Sequence, residues 1–352
     1  MFYDLNGPKA IGSQVVDVWR SVMKGTIKLD PILCPVVPTD RSDEGLRCAI
    51  ALARARNAKL FVLSCVDGSL SRLEARASIK KSIERSVDLH NISAETAPLD
   101  WEPIIVEGNH PAEVITREAV QRKVGLIVMS SRHRPYAAAL LGSTAETVSR
   151  TASRPVLVTR FEGDRSAKLT HSIEFKRLLV ASDFSSDSEL TLRYGLSIAQ
   201  EYQSDLHLLH VLADSPTGSE EINWNSREGP YHEAARRLHQ SIPAEAHLWC
   251  RVTHAVREGK PYREILSYAA EHKIDLICIG AHGKGSQFGG LFGSNADRVL
   301  RESPCPVLVL RAPKYQTASI KGLNEVGVTS GSKEARYGSF GAESSGCVRV
   351  LE

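Results

Sequence analysis

The sequence repeats itself once, and this repeat constrains the possible folds more than any other feature. The segment that begins at Ile32 (ILCPVVPTDRSDEGLRCAIALARARNAKLFVLSCV) aligns with the one that begins at Leu178 (LLVASDFSSDSELTLRYGLSIAQEYQSDLHLLHVL) at an offset of 146. Further along, GLIVM aligns with DLICI, and RPVLVTR with CPVLVLR, at offsets of 150 and 151. Because the matches keep the same order along nearly the whole length, we interpret the chain as a duplicated domain.

Each copy alternates apolar runs with helical patterns. The apolar runs, such as KLFVLSCV and DLHLLHVL, are apolar on both faces, as the strands of a buried parallel sheet are. Amphipathic helices are predicted at Ser42 to Asn57, Leu73 to Leu89, Pro111 to Arg122, Ser188 to Gln203, His232 to Ile242 and Pro261 to His272, and one more begins at each Gly-Ser pair. The fold class that follows is α/β, with two repeated, doubly wound, Rossmann-like parallel sheets of five strands each.

The repeat also defines the expected domains. We expect one domain at residues 28–160 and a second at 177–312, joined by a polar linker at 161–176. Residues 1–27 form an N-terminal extension with a short amphipathic helix, and residues 313–352, rich in glycine and serine, predict a disordered tail. The last strands of the two copies, PVLVTR and PVLVLR, would leave apolar sheet edges exposed, so we expect the copies to pair there.

Bulk composition disfavours several classes of protein. A formal net charge of +3 on 352 residues is nearly balanced, so the sequence carries no broad footprint for nucleic acid or membrane surfaces. No apolar run reaches the ~20 residues that a membrane-spanning helix needs. The seven cysteines are scattered without a C-x-x-C pair, which favours free thiols in a reducing compartment. We therefore expect a cytoplasmic protein with neither nucleic acid nor membrane as a partner.

The second copy contains a glycine-rich segment, GAHGKGSQFGGLFGS, from Gly280 to Ser294. It matches neither the P-loop pattern nor G-x-G-x-x-G; its glycines follow the spacing G-x2-G-x9-G-S. Glycines at a strand end let the main chain approach a ligand, and the helix that begins at Gly293-Ser294 offers free amides to phosphates. The pattern favours a nucleotide site. As an alternative, Ser294-x-x-Asp297 fits a capping box, which requires no ligand.

With this spacing the chain resembles the universal stress protein family, whose ATP-binding members carry G-x2-G-x9-G-[ST] after the fourth strand. The resemblance covers roughly residues 28–311 and implies the fold of that family, with ATP bound by the second copy and Mg²⁺ as an optional companion. The residues that it places around the nucleotide are Ala181, Ser182, Asp183, Val211, Ile279, Gly280, Ala281, Gly283, Gly293, Ser294, Asn295 and Ala296. For Asp183 it implies a contact to the nucleoside, while the alternative is that this residue caps the next turn or helix.

The first copy departs from the family pattern. Val37 stands at the position of Asp183 and Ser130 at that of Gly280, while Arg132 and His133 replace residues of the glycine segment. The pair Gly142-Ser143 is what remains. We therefore expect the first copy to keep the fold and to lack ordinary ATP binding.

Three functions are compatible with these observations. The first is a tandem universal stress protein, which binds ATP as a stress-response regulator or sensor and hydrolyses it slowly at most. Its two copies pair with each other, and the chain could also form a homodimer and bind an unidentified protein partner. The second is a scaffold of the same fold that acts through protein partners without nucleotide. The third is a nucleotide-dependent enzyme, against which the absence of SGGxDS and HIGH-type signatures counts. We predict no catalytic residue. We also predict no metal site, because His207 and His210 lie three positions apart on a strand and so face opposite sides of the sheet.

Overall fold

The computed structural model describes residues 27–37, 44–68, 71–88, 98–131, 142–160, 175–213, 229–284 and 292–312. The predicted N-terminal helix, most of the linker and the predicted tail lie outside the described residues. So do residues 132–141 of the first copy and residues 285–291 of the glycine segment.

Both copies follow the predicted alternation of strands and helices. In the described part of the first copy these are β1 (Ile32–Pro35), α1 (Glu44–Arg56), β2 (Leu60–Val66), α2 (Arg72–Asp88), β3 (Trp101–Glu107), α3 (Pro111–Gln121), β4 (Leu126–Ser131), α4 (Ser143–Thr151) and β5 (Val156–Arg160). In the second copy they are β6 (Arg177–Ala181), α5 (Ser186–Tyr202), β7 (Asp205–Leu212), α6 (Pro230–Ser241), β8 (Val252–Glu258), α7 (Pro261–Glu271), β9 (Leu276–Gly280), α8 (Ser294–Glu302) and β10 (Val307–Leu310). The predicted helix bounds differ from these by at most two residues, and a short 3-10 helix at Ala244–Leu248 was not predicted.

The ten strands form one continuous sheet in the order β3-β2-β1-β4-β5-β10-β9-β6-β7-β8. Within each copy every neighbouring pair is parallel, and the copies join through the antiparallel pair β5 and β10. In this pair Leu157 lies opposite Leu308, and both are almost completely buried. The expected pairing of the two last strands is therefore present, and the two sets of five strands make a single sheet.

Helices cover both faces of the sheet, so alternate residues of a strand enter different cores. In β6, Leu178 and Val180 belong to one buried cluster, while Leu179 and Ala181 belong to the other. Each cluster contains residues of both copies. Such burial on both faces is the reason why the strands read as uninterrupted apolar runs.

The strand order reverses between β6 and β9 in the second copy, and between β1 and β4 in the first. From β6 the chain moves outward to β7 and β8, and it then returns to β9 on the other side of β6. Helices therefore diverge to opposite faces at this point, and they leave a crevice at the carboxyl ends of β6 and β9, where open α/β sheets bind ligands.

Two further properties concern the part of the chain that the structure describes. No helix there is long and apolar enough to cross a membrane. The six cysteines that it contains are free thiols, of which only Cys65 is partly exposed.

Helix α5 lies unusually close to β6, because Gly195 has no side chain. A Cβ atom at Gly195 would lie 2.5 Å from Cγ2 of the buried Val180. The helix begins after Ser185, whose hydroxyl accepts a hydrogen bond from the backbone N–H of Ser188. This close packing places the first turn of α5 beside the crevice.

We expect Gly195→Ala to lower the free energy of unfolding by about 1 to 3 kcal/mol, because the added methyl overlaps Val180. Alanine is favoured over glycine in a helix by ~1 kcal/mol, so the overlap has to exceed that gain. Urea denaturation followed by circular dichroism measures the change. The double variant with Val180→Ala should lose less than the sum of the two single variants; strict additivity would contradict the close contact.

Candidate functional site

A cavity of about 490 Å³ opens at the carboxyl ends of β6, β7 and β9, at the point where the strand order reverses. Eleven of the twelve residues that the resemblance placed around a nucleotide line this cavity. They are Ala181, Ser182, Asp183, Val211, Ile279, Gly280, Gly283, Gly293, Ser294, Asn295 and Ala296. The structure thus brings together residues from three strand ends and a helix start that are more than 100 positions apart in the sequence.

The twelfth residue, Ala281, is completely buried behind the cavity wall. Its backbone N–H donates to the carbonyl oxygen of Leu310 at 2.7 Å, and its own carbonyl accepts from the N–H of Gly293 at 2.8 Å. The first bond fixes the start of the glycine segment to the end of β10, and the second joins the two ends of the segment. Ala281 therefore supports the cavity without lining it.

Asp183 lies at the end of β6 with its carboxylate fixed by three hydrogen bonds. Oδ1 accepts from the backbone N–H and the hydroxyl of Ser185, at 3.0 and 2.5 Å, and Oδ2 accepts from the N–H of Lys284 at 2.8 Å. Burial alone would raise the pKa of Asp183, but the bonds from Ser185 and Lys284 outweigh it and hold the pKa below its usual value. Asp183 thus caps the turn before α5, as the alternative interpretation expected, and also faces the cavity as an ionised carboxylate.

Two of the glycines make room for protein groups. A Cβ at Gly280 would lie 2.8 Å from the Cβ of Asp187, and a Cβ at Gly283 would lie 2.6 Å from Oδ2 of Asp183. The sequence reasoning gave ligand approach as the role of these glycines. The structure shows an additional and nearer cause, which is the close approach of two aspartates to the main chain of the segment.

Asp187, in the first turn of α5, is a buried acceptor that sequence reasoning did not single out. It is 5% exposed, and its Oδ2 accepts from both the backbone N–H and Nδ1 of His282, each at 2.9 Å. Its Oδ1 accepts from the N–H of Ala312, also at 2.9 Å. One carboxylate therefore fixes the glycine segment and the chain that follows β10. An acidic residue in a first helical turn is common, so the sequence did not reveal this function.

His282 lines the cavity and carries one unused ring nitrogen. Nδ1 donates to Asp187, so Nε2 is the ring nitrogen that this bond does not use. Within the described part of the chain, this buried Nε2 has no hydrogen-bond partner.

The remaining lining residues are mainly apolar and were not predicted. They are Ser188, Leu209, Pro261, Ile265 and Phe292. Leu209 and Ile265 occupy regular strand and helix positions, where their spacing is the same as that of ordinary core residues. Only the strand order could reveal that they face a cavity.

Two histidines of β7 lie on opposite faces, as predicted. His210 donates from Nδ1 to the carbonyl of Ser182 at 2.7 Å, and burial lowers its pKa, which favours the neutral ring. His207 instead contacts the hydroxyl of Tyr268 through Nδ1 at 2.9 Å. Among the residues that the structure describes, no group of three His, Cys, Asp or Glu side chains is arranged to hold a metal ion.

Phe184, next to Asp183, has a backbone φ of +61°, which is uncommon for a residue with a bulky side chain. Its ring lies 4.5 Å from the ring of His210, and the guanidinium of Arg237 lies 4.0 Å from its centre. The ammonium of Lys284 lies 5.1 Å from the same ring. Because such backbone strain must be offset by its surroundings, these contacts stabilise the turn that presents Asp183.

Helix α8 begins at the cavity without a side-chain cap. Gly293 is the N-cap residue, and Ser294 is the first helical residue. The carboxylate of Asp297 bonds to Arg301 at 3.0 Å and to Arg150 at 2.9 Å, so the capping box considered above is not formed. The first amides of α8 and the hydroxyl of Ser294, which has no partner among the described residues, lie at the cavity.

The first copy lacks the carboxylate that Asp183 supplies in the second copy, because Val37 stands at that position. Val37 is 45% exposed at the end of β1, and Ser130 is in β4. Gly142 precedes α4 without a side-chain cap, as Gly293 precedes α8. The loss of ATP binding in this copy stays a prediction.

We expect Gly280→Ala to lower the free energy of unfolding by about 1 to 3 kcal/mol, because the new methyl group overlaps the buried Asp187. Thermal unfolding in a calorimeter measures the change. The matched control is Ser130→Ala, at the corresponding strand end of the first copy, where a Cβ is already present. Equal stability of Gly280→Ala and the natural protein would contradict the close approach of Asp187.

The comparisons with known proteins agree with the two-copy architecture. The model of the universal stress protein family matches residues 28–160 and, a second time, residues 174–311. A universal stress protein of Methanocaldococcus jannaschii is 29% identical over 145 residues, which is 40% of this chain and 85% of that relative. One of Mycobacterium tuberculosis is 29% identical over 213 residues, which is 58% of this chain and 64% of that relative.

The solved structures support the same fold. The crystal structure of a universal stress protein from Archaeoglobus fulgidus covers 80% of this chain and 96% of its own, with a TM-score of 0.57 at 22% identity. At this identity the likeness concerns the fold alone. Because the family model matches both copies, and together they make up most of the sequence, the chain belongs to the universal stress protein family and carries its domain twice.

Proposed function

We propose that this chain is an ATP-binding stress-response regulator or sensor, with the nucleotide in the cavity of its second copy. The observation that carries the proposal is the position of two groups at one cavity: the ionised carboxylate of Asp183 and the uncapped start of α8. One suits a ribose and the other suits phosphates. Both lie where strand order reverses, which is the usual place for a nucleotide in such a sheet.

The apolar walls of the cavity suit the adenine base of ATP. Leu209, Val211 and Ile279 supply apolar surface from three different strands. The volume of about 490 Å³ falls within the range of roughly 300 to 1,000 Å³ that is typical of small-molecule pockets. Strand-end backbone groups nearby can hydrogen-bond to the edge of a purine.

Asp183 suits the ribose because its carboxylate is fixed and not saturated. An ionised carboxylate has about four acceptor positions, and three are used by Ser185 and Lys284. One position is left for a ribose hydroxyl. Because those bonds also keep the pKa low, the group is an acceptor throughout the neutral range.

The start of α8 suits the phosphates. The free amides at Ser294, Asn295 and Ala296 and the positive end of the helix dipole favour an anion. Positive side chains lie next to lining residues: Lys284 follows Gly283, and the guanidinium of Arg298 lies over the ring of Tyr262, which follows Pro261. Mg²⁺ enters this proposal as a companion of the phosphates.

The biological part of the proposal concerns how the bound nucleotide is used. We infer a cytoplasmic role in which occupancy of the cavity is reported to a protein partner, and the domain bounds 28–160 and 177–312 are kept as proposed. A homodimer is compatible with this role. The first copy contributes the fold without a nucleotide site of its own.

We expect the full chain to bind ATP saturably in isothermal titration calorimetry, and Asp183→Ala to weaken binding by about ten- to a hundredfold. A hydrogen bond to a charged acceptor contributes roughly 1.5 to 3 kcal/mol, which corresponds to such a factor. The matched control is Val37→Ala, at the corresponding position of the first copy, which should leave the affinity unchanged.

A second ligand tests the role of Asp183 directly. Dideoxy-ATP, which lacks both ribose hydroxyls, should bind the natural protein more weakly than ATP, and Asp183→Ala should no longer distinguish the two nucleotides. Absence of binding at millimolar ATP would reject the proposal and favour the scaffold. ATP turnover well above a slow background would instead make the protein an enzyme.

A further inference from the structure

We propose that Arg150, which belongs to the first copy, is a positioning residue for the cavity of the second copy. Arg150 lies in the last turn of α4, across the junction from the cavity. It acts by holding Phe292 and the first turns of α8, both of which contribute to the cavity wall. For its effect on ligand affinity, the inference rests on the function proposed above.

Four charged side chains join α4 and α8 in a symmetric arrangement. Arg150 contacts Asp297 of the second copy and Glu146 of its own helix, each at 2.9 Å. Arg301 contacts Glu146 of the first copy at 2.6 Å and Asp297 of its own helix at 3.0 Å. Each arginine therefore bonds to one acid of its own copy and one of the other.

One acid and one base of this network, Asp297 and Arg301, have pKa values that the network shifts. Burial would raise the pKa of Asp297, but the bonds from Arg301 and Arg150 hold it below its usual value. The pKa of Arg301 is raised, first by its bond to Asp297. Asp297 and Arg301 thus remain charged at neutral pH.

Although the ion pairs are symmetric, only Arg150 among the two arginines also contacts a described residue of the cavity wall from the other copy. The guanidinium carbon of Arg150 lies 5.8 Å from the ring centre of Phe292, a residue of the cavity wall. Asp297, which Arg150 also contacts, follows Ser294, Asn295 and Ala296 in the first turns of α8. Arg150 therefore contacts the wall and the helix start from outside the second copy.

A third contact fixes the main chain of Arg150 to the second copy. A guanidinium nitrogen of Arg311, just after β10, donates to the carbonyl oxygen of Arg150. The next residue, Ala312, bonds to Asp187, which in turn holds His282 of the cavity wall. The end of α4 is thus connected to both sides of the cavity by bonded groups.

This arrangement explains how the first copy affects ligand binding in the second copy. Phe292 and Gly293 immediately precede α8. Within the second copy, the N–H of Gly293 bonds to Ala281, while the ring of Phe292 packs beneath the guanidinium from the first copy. Without Arg150, Phe292 would lose this ring contact to the first copy, and α8 would keep only one of the two ion pairs described across the junction, Arg301–Glu146.

The expected effect is moderate, because an ion pair with partly exposed members contributes little by itself. Arg150 is 43% exposed, but it combines two ion pairs with a ring contact. We expect Arg150→Ala to weaken ATP binding by about three- to tenfold in the full chain. Arg150→Lys, which keeps the charge but lacks the planar guanidinium, should fall between the natural protein and Arg150→Ala.

The matched control is Arg56→Ala. Arg56 also forms an ion pair across the junction, with Glu201 of α5, and neither residue lines the cavity. Affinity is measured by titration calorimetry, and the mobility of α8 by hydrogen–deuterium exchange of its amides without ligand. We expect Arg150→Ala to lower the affinity and to speed exchange in α8, and Arg56→Ala to do neither.

The outcomes separate this inference from the proposed function. If the natural chain binds ATP and Arg150→Ala binds equally well with unchanged exchange in α8, the inference is wrong and the proposed function stands. Equal losses in Arg150→Ala and Arg56→Ala would also overturn it, because the effect would then belong to the junction as a whole. If the natural chain binds no nucleotide, the proposed function fails, and the exchange of α8 alone decides whether Arg150 holds that helix.

Discussion

The antiparallel pairing of β5 with β10 is the interaction on which the rest of this architecture depends. Each of these strands has one parallel neighbour in its own copy, and its other edge is apolar. By pairing with each other they satisfy their backbone groups and bury facing leucines, Leu157 and Leu308, which removes two exposed edges at once. The same pairing brings α4 beside α8, so the ion pairs between these helices are a consequence of sheet continuity.

At the cavity, the decisive constraint is the close approach of two aspartates to the main chain at two glycines. Gly280 allows Asp187 to approach, and Gly283 allows Asp183 to approach. The carboxylates of Asp187 and Asp183 then accept hydrogen bonds from the backbone N–H groups of His282 and Lys284 and so fix the first residues of the segment. The two glycines thus remove the steric conflict that a side chain would have with these carboxylates at the edge of the cavity.

Most of the fold and much of the site could be predicted from the sequence, because both leave a periodic or spaced pattern. The repeat predicted the strand and helix order, and the family resemblance, which rests on the glycine spacing, implied eleven of the residues that line the cavity. Asp187 could not be found this way, since an acid in a first helical turn is usually a solvated group. Leu209 and Ile265 could not be found either, because a core position and a cavity position have the same spacing. The place of Ala281 behind the wall depends on a hydrogen bond between main chains, which no side-chain pattern records.

The two copies share a fold but differ in charge at the strand ends, and this difference has a physical consequence. The second copy carries Asp183 and Asp187 at its crevice, where the first carries Val37 and Arg41 at the aligned positions. Val37 and Arg41 supply no carboxylate at these two positions, so neither can accept a ribose hydroxyl or a main-chain N–H as an aspartate does. The junction, in contrast, is kept equivalent on both sides, with Glu146 and Arg150 matching Asp297 and Arg301. Symmetry is thus retained where the copies pack and lost at these two sequence positions, so side chains of the first copy contact the helix that borders the cavity of the second.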